Sequence, residues 1–149
     1  MSILKLSNHV TSDEELDQWC RRYVKGFAGV ISRSDFPHIY KHLKPGSSII
    51  INLDPGYSKG GTHWVALRIS SEAPIIYYKD SFGAPPPEDI TSHLAVPPSG
   101  NKQNARGIVY GSRINQNLDE QNCGRRAAIF LRKMANTPDE IEEFERLEK

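Results

Sequence analysis

Cysteine is scarce in this chain: Cys20 and Cys123 are the two in 149 residues. One bridge at most can join them, which excludes a disulfide-built scaffold. Long apolar runs are missing as well. The stretch from Ser48 to Leu53 is strand-sized, far short of the ~20 residues that a membrane-spanning helix needs, and nothing resembles a signal peptide. A soluble, intracellular setting with both thiols reduced is therefore expected, and no membrane partner. Excess charge is missing too: 19 Lys and Arg face 18 Asp and Glu, for a net charge of +1. Bulk charge thus offers no argument for a nucleic-acid partner. Internal repeats and low-complexity tracts are absent. The length fits one domain over residues 1–149, enough to bury a single core.

What is present reads as alternating helices and strands. Ser12-Asp-Glu-Glu15 has the form of a capping box, with acids in the first turn. Leu16, Trp19, Cys20 and Tyr23 then recur at helical spacing and predict a helix over 13–24. Residues 27–31 between glycines read as a turn or small strand. Ser34-Asp-Phe-Pro37 starts a second helix that reaches about 43 and closes at Pro45-Gly46. The β-branched run 48–53 predicts a buried strand, and 62–69 and 75–78 predict two more. A short helix follows at 88–94, then a polar excursion over 95–106. Alternation over 109–114 predicts a fourth strand. The helix that opens at Cys123 runs to about 135, and Asn136 to Glu140 stops it and caps a last charged helix. The fold class is α+β: a mixed or antiparallel sheet packed against a central helix that begins at Cys123.

Cys123 ends a polar loop and opens that helix, where the dipole favours thiolate over thiol. His63 stands near the start of one strand and Asp80 at the end of the next. A hairpin centred near Glu72 brings Asp80 opposite or next to His63. Nucleophile, base and orienting acid are then all present. Gln116, seven residues before Cys123, is placed to offer its amide to an oxyanion, with the Cys123 N–H as second donor. The set reads as a cysteine peptidase working through a covalent thioester. Other polar and reactive residues have plainer readings. Cys20 falls on the apolar face of the first helix and reads as inert. His38 and His42 are four apart on a short helix but lack a third ligand, so no metal is expected. Arg125, Arg126, Arg132 and Lys133 form a basic stripe, either a solvated face or a dock for an acidic partner. Strand alternation puts Trp64 on the face opposite His63, in the core.

These residues also carry a resemblance. His63-Trp64, an acid 17 residues on at Asp80, and Gln116 seven before Cys123-Gly124 resemble the adenovirus proteinase (adenain) family. The SUMO- and ubiquitin-like proteases are similar more distantly. The likeness covers about residues 27–134, through Phe-Ala-Gly-Val-Ile-Ser at 27–32, Ile-Ile-Asn at 50–52, Gly-Gly-Thr-His-Trp at 60–64 and Asp-Ser-Phe-Gly at 80–83. It implies a compact version of that family's fold and a viral thiol peptidase with His63, Asp80, Gln116 and Cys123 in the active site and no metal; adenain also uses DNA as a cofactor, which the near-neutral charge does not support, so no cofactor is expected here. The substrate implied is a polypeptide, a viral polyprotein or a ubiquitin-like modifier, cut near Gly-Gly or Gly-X-Gly. The resemblance also puts Trp64 over the substrate groove, so two readings of Trp64 stand side by side. The chain departs from the family in four places. Aspartate stands at 80 where adenain has glutamate, Arg125 and Arg126 replace apolar residues, and most of the C-terminal extension is missing. No cysteine lies between Asp80 and Cys123, so an activating peptide would not be disulfide-linked. Two rival readings are an acetyltransferase of the bacterial-effector type, which needs a more concentrated basic patch, and an inactive module binding ubiquitin-like proteins, which has no need of an intact set.

Overall fold

The structure, a computed structural model, describes residues 12–53, 63–94, 107–113 and 123–149. Five strands form one mixed sheet in chain order: β1 (Phe27–Ser32), β2 (Ser48–Asn52), β3 (Trp64–Ile69), β4 (Ile75–Lys79) and β5 (Gly107–Tyr110). β2, β3 and β4 run antiparallel to one another, whereas β1 joins β2 and β5 joins β4 in parallel. Parallel neighbours need a crossover, and the short helices α1 to α5 divide accordingly. α2 (Phe36–Tyr40) makes the crossover between β1 and β2, and α3 (Glu88–Leu94) that between β4 and β5. α1 (Asp13–Tyr23), α4 (Cys123–Ala135) and α5 (Glu140–Leu147) complete the chain.

The two-residue period of the strands sorts the apolar residues onto two faces. Ile50, Trp64, Ala66 and Tyr77 pack with α1, α4 and α5. Ile49, Ile51, Val65, Leu67, Ile76 and Tyr78 pack with α2 and α3. The single core expected from length is thus two, one on each face. This is why Ile49, Ile50 and Ile51 are all fully buried although they alternate in direction. Each such side chain contributes about 1.5–3 kcal/mol of burial.

Local chemistry sets the helix starts. Ser12 Oγ accepts the Glu15 N–H at 3.1 Å, and Asp139 accepts the Glu142 N–H at 3.0 Å. Residues 27–31 resolve as strand rather than turn, because α1 covers that edge of the sheet. Asp17 Oδ1 accepts the Val30 N–H at 3.1 Å, and Arg21 donates to the Ala28 carbonyl at 3.3 Å, so groups at an open edge find partners. The second helix is shorter than expected, ending at Tyr40. The fourth expected strand is also displaced: β5 occupies 107–110, and Gly111 to Arg113 leave the ladder. There β4 has ended. The Arg113 N–H goes to Glu148 at 3.1 Å and its carbonyl to Lys79 Nζ at 3.0 Å instead. At the opposite end of β3 from His63, Arg68 and Glu140 form a buried ion pair at 2.8 Å that ties α5 to the sheet. No helix among the described residues is long and apolar enough to cross a membrane.

Candidate active site

His63 immediately precedes β3 and Asp80 immediately follows β4, so both project from the same end of the sheet. Ala66 pairs with Lys79. One step further sets Asp80 beside Val65, and the ladder centres between Glu72 and Ala73. Asp80 is therefore diagonal to His63 rather than directly opposite, and the imidazole spans the offset: Nε2 lies 3.0 Å from Asp80 Oδ2. The other carboxylate oxygen, Oδ1, accepts the Phe82 N–H at 2.8 Å. The turn is closed by the Gly83 N–H on the Asp80 carbonyl at 2.8 Å. Gly83 has a φ of 76°, and a Cβ there would run into the Ser112 carbonyl. Asp80-Ser-Phe-Gly83 is thus a turn that presents a nearly buried carboxylate with one oxygen for its own backbone and one for the imidazole. Phe82 then packs its ring 5.3 Å from that of His63.

Cys123 opens α4, and α4 lies against β3. Its Sγ accepts the Trp64 backbone N–H at 3.5 Å and shares a hydrogen bond with His63. With Nε2 on Asp80, the ring nitrogen left for the sulfur is Nδ1. Burial pushes the Cys123 thiol up, but the His63 hydrogen bond, the Trp64 N–H, the imidazolium charge and the Gly124 N–H together bring it below the ordinary value of 9.0. Burial also works against the charged imidazole. The Asp80 hydrogen bond, the Cys123 hydrogen bond and the two negative charges outweigh it and raise His63 to about 9. The two shifts reinforce each other: the imidazolium favours the thiolate at Cys123, and the thiolate favours the imidazolium at His63. Cys20 is the internal contrast: buried in mid-helix, first by desolvation and then by Asp17, it is pushed up to about 12. Neither cysteine is in a disulfide.

Trp64 is in the core, as strand alternation predicted, with 4% of its surface exposed. Its ring lies over Gly124. A Cβ on Gly124 would stand 2.8 Å from Trp64 Cε3 and 3.4 Å from Leu16 Cδ2. Its Nε1 donates to Asp13 Oδ1 at 2.6 Å, and Asn52 Nδ2 donates to the same oxygen at 3.1 Å. Sequence reasoning took Asp13 only as a first-turn acid suited to the dipole and passed over this second use. Phe82 enters the sequence reading only through the Asp-Ser-Phe-Gly turn. Gln116 lies outside the described residues. The Cys123 N–H, at the first position of a 13-residue helix, has no acceptor within that helix. His38 and His42 stack edge-on at 5.3 Å, and no group of three or more His, Cys, Asp or Glu that could hold a metal occurs among the described residues. From the basic stripe, Arg125, Arg126 and Lys133 border, with Lys79 and Glu148, a cavity of about 150 Å³.

No protein-family model and no curated protein sequence matches the chain. Among solved structures, the crystal structure of ASFV pS273R protease is similar, with a TM-score of 0.61 and 15% identity over 92% of this chain and 61% of that one. The selenomethionine form of the same protease gives 0.57 and 16% identity over 92% and 62%. The fold is therefore shared with that protease, and this chain spans about three fifths of its length.

Proposed function

We propose that the chain is a thiol peptidase. The single observation that carries this is the imidazole of His63, held by Asp80 Oδ2 at 3.0 Å, with the Cys123 sulfur near enough that the imidazole lowers the thiol and the thiolate raises the imidazole. In this reading the Cys123 thiolate attacks the scissile carbonyl carbon. The resulting oxyanion takes hydrogen bonds from the Cys123 N–H and the Gln116 amide. The His63 imidazolium gives its proton to the leaving amine, which departs and leaves a thioester on Cys123. Neutral His63 then takes a proton from water, whose oxygen attacks the thioester and frees the thiolate. Asp80 holds the ring tautomer and stabilises the cation throughout.

The substrate proposed is a polypeptide cut beside Gly-Gly or Gly-X-Gly, from a viral polyprotein or a ubiquitin-like modifier. The sequence resemblance and the fold shared with a viral protease support that class. Trp64 is proposed to wall the approach to the sulfur, supported by its ring lying over Gly124, the residue next to Cys123, so that glycine is the residue that passes. The test is turnover of a peptide series with Gly, Ala or Ser at the site, by wild type and by Cys123→Ala. Cleavage at glycine that disappears in Cys123→Ala is expected. Cleavage that persists in the variant, or equal use of Ala and Gly, contradicts the reading.

A further inference from the structure

We infer that Asp13 is a positioning residue for the nucleophile: by holding the Trp64 indole and Asn52 together, it keeps the Trp64 N–H on the Cys123 sulfur. The inference rests on the thiol-peptidase reading of Cys123 and adds a residue to it.

Asn52 and Trp64 are the terminal pair of the β2–β3 ladder. Terminal pairs fray unless tied down, and beyond this one a single backbone bond, from the Leu53 N–H to the His63 carbonyl at 2.8 Å, closes the sheet. Asp13 binds both members. Its Oδ1 accepts Trp64 Nε1 at 2.6 Å and Asn52 Nδ2 at 3.1 Å, and Oδ2 takes a longer 3.4 Å contact from the same amide. A carboxylate makes these bonds stronger than a neutral acceptor would. Asp13 itself is the first residue of α1, fixed by the cap at Ser12. The Trp64 backbone N–H, 3.5 Å from Sγ, is thereby anchored through its own side chain from one helix to the start of another. Gly124 completes the seat, since the ring lies where its Cβ would be.

Asp13 carries a negative charge of its own, so its removal acts on the thiolate in two opposite ways. Losing the charge favours the thiolate, whereas losing the clamp loosens a hydrogen bond to it and disfavours it. The two effects separate in variants. Iodoacetamide alkylation of Cys123 against pH reads the thiolate directly, without any peptidase substrate, in a Cys20→Ala background. Asp13→Ala is expected to raise the apparent Cys123 pKa by about half to one unit, roughly three- to tenfold less thiolate on the acid limb. Asp13→Asn loses the charge but keeps an oxygen that accepts both donors, so its titration should lie at or slightly below that of wild type rather than above it. Trp64→Phe removes the indole N–H but keeps a ring over Gly124. It should reproduce the Asp13→Ala shift without adding to it in the double variant, and it stands in if Asp13→Ala does not fold. A lowered pKa in both Asp13 variants would mean that only charge acts, and a lowered melting temperature with an unmoved alkylation profile would mean a purely structural role. Either overturns the inference. If wild type itself titrates near an ordinary thiol, the ion-pair reading fails and the inference fails with it. A depressed wild type with unmoved variants overturns the inference alone.

Discussion

Adding one methyl group at Gly124 should disturb both stability and the sulfur. Gly124 is the second residue of α4, where glycine has no conformational need recorded by a positive φ, so helix propensity alone favours alanine by up to ~1 kcal/mol. Space opposes it. The new Cβ would stand 2.8 Å from Trp64 Cε3, 3.2 Å from Cζ3 and 3.4 Å from Leu16 Cδ2. The first distance is too short for any carbon pair, so the ring or the helix must move. The indole is not free to yield, because Asp13 holds its Nε1 at 2.6 Å and its backbone closes the β2–β3 ladder. Overpacking of this kind costs ~1–3 kcal/mol. Set against a propensity gain that is smaller in a first turn, Gly124→Ala should destabilise by about 1–2 kcal/mol, a fall in melting temperature of roughly 2–8 °C at this chain length. Urea unfolding gives the first quantity and calorimetry the second. The displaced ring should also carry the Trp64 N–H off the sulfur and slow Cys123 alkylation at neutral pH. In a Trp64→Leu background the same substitution should cost less, since the obstruction is gone. A Gly124→Ala protein as stable as wild type, with unchanged alkylation, would refute the packing of Trp64 on α4 as described.

Four further outcomes are expected. Because Asp80 helps to raise His63 to about 9, turnover should fall on the alkaline side near that pH as the imidazolium loses its proton. Asp80→Asn should move that limb toward neutral, and a limb left in place would remove Asp80 from the site. The linked stability has a definite sign. His63, raised above 6.5, favours the fold fully below that value and loses its contribution as pH rises through about 9. Cys123, lowered from 9.0, contributes above that value and loses its contribution as pH falls through its folded pKa. Gln116→Ala should lower the catalytic constant by about 10²–10³-fold, the usual effect of losing one oxyanion donor, with the Michaelis constant little changed. A change confined to the Michaelis constant would make Gln116 a substrate-binding residue. Glu140→Ala should destabilise by ~3–5 kcal/mol, because it strands the buried Arg68 charge. It should leave the Cys123 alkylation profile alone, since Arg68 and Trp64 are ~13 Å apart along β3 at about 3.3 Å per residue, and a shifted profile would contradict that separation.

The helices α3 and α4 were legible to the residue, because each has a strong start signal and an uninterrupted apolar face. The central strands were legible from their β-branched runs. A continuous run such as Ile49 to Ile51 does not say which residue faces which layer, and so the split into two cores waited on the sheet. β5 was misplaced because an edge strand, half-exposed and paired on one side, shows only weak alternation. There the ends of Lys79 and Glu148, far apart in sequence, decide where the ladder stops. For the site, counting along the hairpin brings Asp80 opposite or next to His63, and the ladder decides for the diagonal neighbour. Asp13 escaped notice because its partner lies 51 residues away, and nothing in a Ser-Asp-Glu-Glu start distinguishes an acid that serves the dipole from one that also grips an indole. The two readings of Trp64 came from alternation and from resemblance, and its side chain lies where alternation put it.

The central claim is that Cys123, activated by His63, is a nucleophile for a carbonyl at the end of a glycine-rich peptide. Intact-protein and peptide mass spectrometry after incubation with a vinyl-sulfone probe bearing a Gly-Gly tail tests it most directly. The account predicts a single mass addition on Cys123, lost when the protein is unfolded in urea and suppressed in His63→Ala, with Cys20 unlabelled. Labelling of Cys20 at a comparable rate, or labelling of Cys123 that is indifferent to His63 and to folding, would contradict it.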